Sequence, residues 1–304
     1  PAQAESEGPT GPIVSESVRH STSAPLRDLV REPRKPIEGE VREINPIGAL
    51  PKTGRSGPSS GSDRMPAPYP PEPAPEPIQS FRGLDRIQGV LPPDTVGDVG
   101  PTYYVQATNS SYAIFNKMTG AIALGPFDNN ALWSGAGGNC ETTNDGDPIV
   151  LYDNVNARWM ISQFSLTFGS NFPPSPGSFE QCIAVSTTGD PTGSWHRYEF
   201  HWSDTVFNDY PHFGIWPDGL YMAVNQFNGA TSAWAGQGVA AFEWAEMLKG
   251  NAATMIKFDL GLHDDFYGAQ IPADWDGADS PPPAGRPALF VEWEDADWAV
   301  GNPD

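Results

Sequence analysis

GDPIVLYDNVNARWMISQF, residues 146–164, decides the fold. It reads as two strands, IVLYD and RWMISQF, joined by the turn NVNA. On the second strand Trp159, Ile161 and Gln163 point one way and Met160, Ser162 and Phe164 the other, the period-two alternation of a pleated strand. The same design recurs at residues 209–227, DYPHFGIWPDGLYMAVNQF. In both copies an aspartate (Asp147, Asp209) precedes a proline by one or two residues, and an aromatic–Met pair follows twelve residues after it. Those pairs are Trp159–Met160 and Tyr221–Met222, and each copy then closes on Gln-Phe. A degenerate earlier version is DVGPTYYVQATN, residues 98–109.

Working outward, strands are expected from about residue 79. YYVQATN, SYAIFNK and GAIALGPF come first, the last two joined by the turn KMTG. The central copy adds QCIAVS and SWHRYEF, and the third adds GVAAFEW and TMIKFDL, with one short helical turn at AEMLKG. A fourth group begins at ALFVEWED. Four antiparallel strands repeating every 55 to 62 residues, marked by Tyr104, Trp159 and Tyr221, are the signature of a β-propeller with long blades. The expected fold is therefore all-β: a propeller portion of about three and a half four-stranded blades. An up-and-down sandwich is the second choice, because it would lack this register of motifs. A propeller portion that stops in mid-blade leaves a strand edge that something must cover.

Composition sets the domain boundary. Residues 1–80 carry 16 of the 33 prolines and one aromatic, Tyr69. Such a stretch cannot bury enough apolar surface to offset its ordering entropy. It is expected to be an extended arm, with PAPYPPEPAPEP at 66–77 as a polyproline II spacer. Residues 81–304 hold nearly all the Trp, Tyr and Phe and form the propeller portion. Charge divides the same way: net −2 over 1–80 and net −19 over 81–304. A folded part this acidic repels nucleic acid and anionic membrane surfaces. No apolar run is long enough for a membrane-spanning helix. The chain starts at Pro1 without Met, from which removal of a signal peptide is expected. With the two cysteines, Cys140 and Cys182, flanking the central copy, this start favours one disulfide and a secreted or cell-surface location; two buried thiols are the alternative.

The phrases PPDTVGDVGPTYYVQ, GDPIVLYDNVNARWMISQF, QCIAVSTTGDPTGSWHRYEF and DYPHFGIWPDGLYMAVNQF resemble a family of secreted, largely uncharacterised bacterial proteins with a propeller-like repeat. The likeness runs from roughly Ser23 to Phe290. Members usually continue past the point where this chain ends, so the resemblance implies a truncated or processed chain; it implies no established activity.

Candidate chemistry rests on carboxylates. Asp98, Asp147 and Asp209 are each expected to precede an early strand of a repeat, so a propeller would gather them near one end of its axis. Glycosidases use two carboxylates about 5 to 9 Å apart. The structural reading of the same residues is that an aspartate before Pro or Gly ends a strand by accepting turn amides. His212 and Trp216 complete the candidate ligand-binding set with those three aspartates. NDGD (144–147) and DWDGAD (274–279) place oxygen donors around a glycine as calcium loops do, through Asp145, Asp147, Asp274 and Asp276. Neither matches the full twelve-residue pattern. The histidines form no ligand pair, and nucleophile elbows, phosphate loops and dinucleotide fingerprints are absent from the sequence. Two classes of function stand side by side. One is a structural or binding subunit of a larger extracellular assembly, partnered by other subunits, by the remainder of the same protein or by polysaccharide. The other is a glycoside hydrolase or lyase acting through Asp98, Asp147 and Asp209.

Overall fold

The computed structural model describes residues 10–29, 33–36, 42–43, 76–85, 87, 89–167, 178–261, 270–277 and 279–292. Most of the polyproline spacer expected at 66–77 lies outside them.

The chain is all-β. Strands β1 (Thr10–Glu16) and β2 (Arg19–Thr22) precede a short helix α1 (Leu26–Leu29). Two-residue β3 (Arg42–Glu43) pairs in parallel with β4 (Val90–Leu91). The first large sheet is the meander β5 (Val96–Val99), β6 (Tyr103–Thr108), β7 (Ser111–Asn116) and β8 (Ile122–Asp128). After a 3-10 turn and α2 (Asn139–Thr142) comes the second, β9 (Gly146–Asp153), β10 (Arg158–Thr167), β11 (Ser178–Ser186) and β12 (Trp195–Ser203). The third is β13 (Val206–Trp216), β14 (Gly219–Asn228), β15 (Trp234–Phe242) and β16 (Thr254–Gly261), with α3 (Trp244–Met247) before its last strand. A hairpin of β17 (Ile271–Pro272) and β18 (Phe290–Val291) follows.

The strand expected from RWMISQF is β10, and its alternation has a specific consequence. Trp159 and Ile161 enter the apolar cluster shared with the first sheet, beside Val105, Ile114 and Trp133. Met160 and Phe164 enter the cluster shared with the third sheet, beside Phe213, Met222 and Phe242. The second sheet is thus buried on both faces, which is why its strands are apolar at odd and even positions alike. Sheet-on-sheet burial places the first strands β5, β9 and β13 side by side, with β17 next to β13.

Tyr104, Trp159 and Tyr221 do lie near the start of the second strand of successive sheets. Their environments differ. Trp159 is fully buried, and a Cβ on Gly100 would stand 2.7 Å from its ring. Tyr104 and Tyr221 are only half-buried, at the outer limits of the described stack.

The described parts of the arm lie on the chain's own sheets. β1 pairs antiparallel with β16 as a fifth strand of the third sheet, and β2 pairs with β12 as a fifth strand of the second. Ser23 and Leu26 then donate their N–H groups to the carbonyls of Trp195 and Gly193, each at 2.8 Å, and Leu26 is fully buried. Arg34 donates its N–H to the carbonyl of Pro126 on β8. Just after the arm, Phe81 packs on Tyr104 and Phe115 of the first sheet, and Leu84 donates its N–H to Gln106 Oε1 at 2.7 Å. The arm visits the third, second and first sheets in turn. It borrows a core because its proline-rich sequence lacks one.

The expected disulfide is present. Cys140, on α2, bonds to Cys182, on β11, across a Cα separation of 5.8 Å, and both are fully buried.

Candidate functional site

The first strands carry most of the aspartates singled out above, and the structure sorts these into two groups. The charge of Asp94 acts on Asp147, the second residue of β9, and the charge of Asp147 acts on Asp209. Asp94 stands two residues before β5, and Asp209 is on β13, so three sheets contribute one carboxyl each. Asn109 holds the cluster together. Its Nδ2 donates to Asp94 Oδ2 at 2.5 Å, and its Oδ1 accepts the Asp147 N–H at 2.7 Å. Gly146 permits that approach: a Cβ there would stand 2.7 Å from Asn109 Oδ1, and its φ is 118°. Asp94 and Asp147 adopt φ of 38° and 45°, as does Tyr210 at 50°, so the cluster is built on left-handed backbone in all three sheets. Tyr210 donates its N–H to Asp147 Oδ2 at 3.3 Å.

Enclosure and like charge act together on these groups. Burial first, and the charge of Asp94 second, push the Asp147 carboxyl up to about 7. Burial and the charge of Asp147 raise Asp209 well above the usual carboxylate range. Among the described residues, the charges acting on either carboxyl come from this cluster itself. Carboxyls that raise one another in this way titrate as a group, not singly.

The second group forms ties between strands. Asp98 Oδ2, on β5, accepts the N–H of Tyr152, on β9, at 2.6 Å. Asp274, just after β17, accepts the N–H of Ile215, on β13, at 2.6 Å. Burial raises both carboxyls, Asp274 to about 6, and these two share a repulsive field with Asp276. Asp98 therefore stands with Asp274 and Asp276, not with Asp147 and Asp209 as the sequence suggested. Asp94 takes that place. The spacing held the clue: Asp94 lies ten residues before Tyr104, nearer the twelve of the other copies than the six of Asp98.

Of the other candidate residues, Trp216 is buried and donates its Nε1–H to the Arg286 carbonyl at 2.9 Å, so it offers no open platform. His212 packs edge-on against Tyr210, with ring centroids 4.4 Å apart, and burial lowers its pKa. Within NDGD, Asp145 accepts the Leu166 N–H at 2.7 Å while Asp147 faces the cluster, so the two serve different neighbours. Among the described residues no three His, Cys, Asp or Glu side chains are grouped to hold a metal ion. No described helix is long and apolar enough to cross a membrane.

Comparison of the chain with family models, with curated proteins and with solved structures finds no match.

Proposed function

We propose that the chain is a β-propeller portion acting as a structural or binding subunit of a larger extracellular assembly. The observation that carries this reading is the repeated tie between first strands. Asp98 and Asp274 each commit a carboxylate to a backbone amide of the neighbouring sheet, which is a scaffold's use of an axial aspartate. Meander sheets stacked face to face with their first strands adjacent fit blades around an axis. A buried disulfide and a strongly acidic composition suit an extracellular setting.

The glycosidase reading is weaker. Sugar hydrolysis needs carboxyls about 5 Å apart or more, with the anomeric carbon or a water between them. Asp98 is committed to the Tyr152 N–H and acts with Asp274 and Asp276, so the three aspartates do not form the set that reading named. The assembly reading is tested by sedimentation of the purified chain over a range of concentrations. The expected result is a mass that rises to a defined multiple of 32.8 kDa. A monodisperse single chain at every concentration would overturn it.

A further inference from the structure

Both full copies of the repeat close on Gln-Phe, and their glutamines are met differently. Gln226, on β14, is satisfied at both ends: its Oε1 accepts the Trp202 indole N–H at 3.2 Å, and its Nε2 donates to Asp259 Oδ1 at 3.1 Å. Gln163, on β10, is fully buried, and its Nε2 reaches the Thr143 carbonyl at 3.5 Å. Its Oε1 has no partner among the described residues. Ser165, two residues on, points to the same face of the sheet, and its hydroxyl receives that of Thr143 at 2.8 Å. Directly across from Ser165 stands Glu180 of β11, only 3% exposed. Its Oε1 accepts the Ser178 hydroxyl and faces His201 Nδ1 at 3.7 Å. Its Oε2 is buried without a partner among the described residues.

The disulfide shows what lies over this face. Cys182, opposite Gln163 on β11, bonds to Cys140 of α2, and the chain leaves α2 through Thr143 and Asp145 before entering β9. Asp145 Oδ2 accepts the Leu166 N–H at 2.7 Å, which pins it beside Ser165. We propose that this enclosed face of β10 and β11 is a calcium site, held by the carboxylates of Glu180 and Asp145, the amide oxygen of Gln163 and the hydroxyls of Ser165 and Thr143.

Both unpartnered atoms, Gln163 Oε1 and Glu180 Oε2, are acceptors, so what the site lacks is a donor or a positive charge. A buried carboxylate oxygen left unmet is far costlier than a solvated one. Charge selects a cation over a water. Burial and the charge of Glu180 both raise Asp145, and no basic group acts on it among the described residues. Glu199, the next carboxylate on this face, already has partners: it accepts the Cys140 N–H at 3.2 Å and faces Arg19 at 3.9 Å. The donor set is all oxygen, which suits a hard cation. Its mix of carboxylate, amide and hydroxyl suits the irregular shell of calcium better than the octahedron of magnesium.

A cation held there joins the connection between α2 and β9 to the middle of β10 and β11, on the same face as the disulfide. The site goes beyond the assembly reading and does not depend on it, since every ligand comes from one chain.

The test is calorimetric titration of calcium chloride into the intact, oxidised chain after chelator treatment. The expected result is one saturable site with a Kd on the order of 0.1 mM, as in calcium modules with few charged ligands, and magnesium binding weaker by about tenfold or more. Glu180→Gln and Asp145→Asn keep the side-chain shapes, and each should weaken calcium binding by about tenfold or more. Where a variant does not fold, the NMR spectrum of the unaltered protein decides: calcium should shift the amides of 143–146, 163–166 and 178–181 most. Absence of saturable binding up to about 10 mM calcium, ample for a site of this class, overturns the proposal and leaves water as the missing donor. So does unchanged affinity in folded Glu180→Gln, or calcium shifts centred elsewhere, as at 274–277.

Discussion

The Asp98 carboxylate on β5 receives the main-chain N–H of Tyr152 on β9 at 2.6 Å, and so joins the first sheet to the second. Tyr152 is 6% exposed, so its amide has no ready access to solvent once that acceptor is gone. Replacing Asp98 by alanine leaves a buried donor unpaired. The expected loss is about 1–3 kcal/mol, read from urea unfolding.

Trp159→Ala should cost about 3–5 kcal/mol, the usual loss for a core aromatic. Tyr221→Ala should cost less than half as much, because Tyr221 is only half-buried against Phe290. Equal losses at the two sites would mean that burial does not separate them.

The carboxyl cluster makes a signed prediction about pH. Asp147 and Asp209 titrate higher folded than unfolded, so between their unfolded and folded values the folded state binds more protons. Stability from this cluster is therefore fully present below about pH 4 and is lost as pH rises through about 7. The change should be on the order of 1–3 kcal/mol after solvent screening. Asp209→Asn should flatten that slope and raise stability at pH 8, as measured by thermal unfolding across pH.

Removal of residues 1–29 should strip β1 from β16 and β2 from β12 and uncover the pocket of Leu26. Two open sheet edges and a cavity follow, with a lower unfolding temperature and aggregation at micromolar concentration. A truncated chain that stays monodisperse and equally stable would mean that the arm contributes no structure.

The meanders were legible because period two and turn residues are local signals. RWMISQF and GLYMAVNQF appear as β10 and β14, and the spacing of Trp159 and Tyr221 matched their sheets. The disulfide also followed from two cysteines flanking one copy. Less was legible where partners are distant in sequence. Nothing local in TGPIVSE says that it pairs with β16, since Val14 meets Ile256 far along the chain. Asp98 and Asp94 could not be told apart by type, since each sits near a turn before or within β5. Only their spacing from Tyr104 separated them, ten residues for Asp94 against six for Asp98. Trp216 stood in the candidate ligand-binding set, but Arg286, from a later loop, accepts its indole N–H.

The claim that Asp98 and Asp274 are structural ties is tested most directly by hydrogen exchange at two amides, Tyr152 and Ile215. Both donate to a carboxylate rather than to a ladder partner. The account predicts slow exchange at both in the intact chain. Protection should be lost at Tyr152 alone in Asp98→Ala and at Ile215 alone in Asp274→Ala. Fast exchange at both amides in the unaltered protein, or protection that survives loss of the carboxylate, would contradict it.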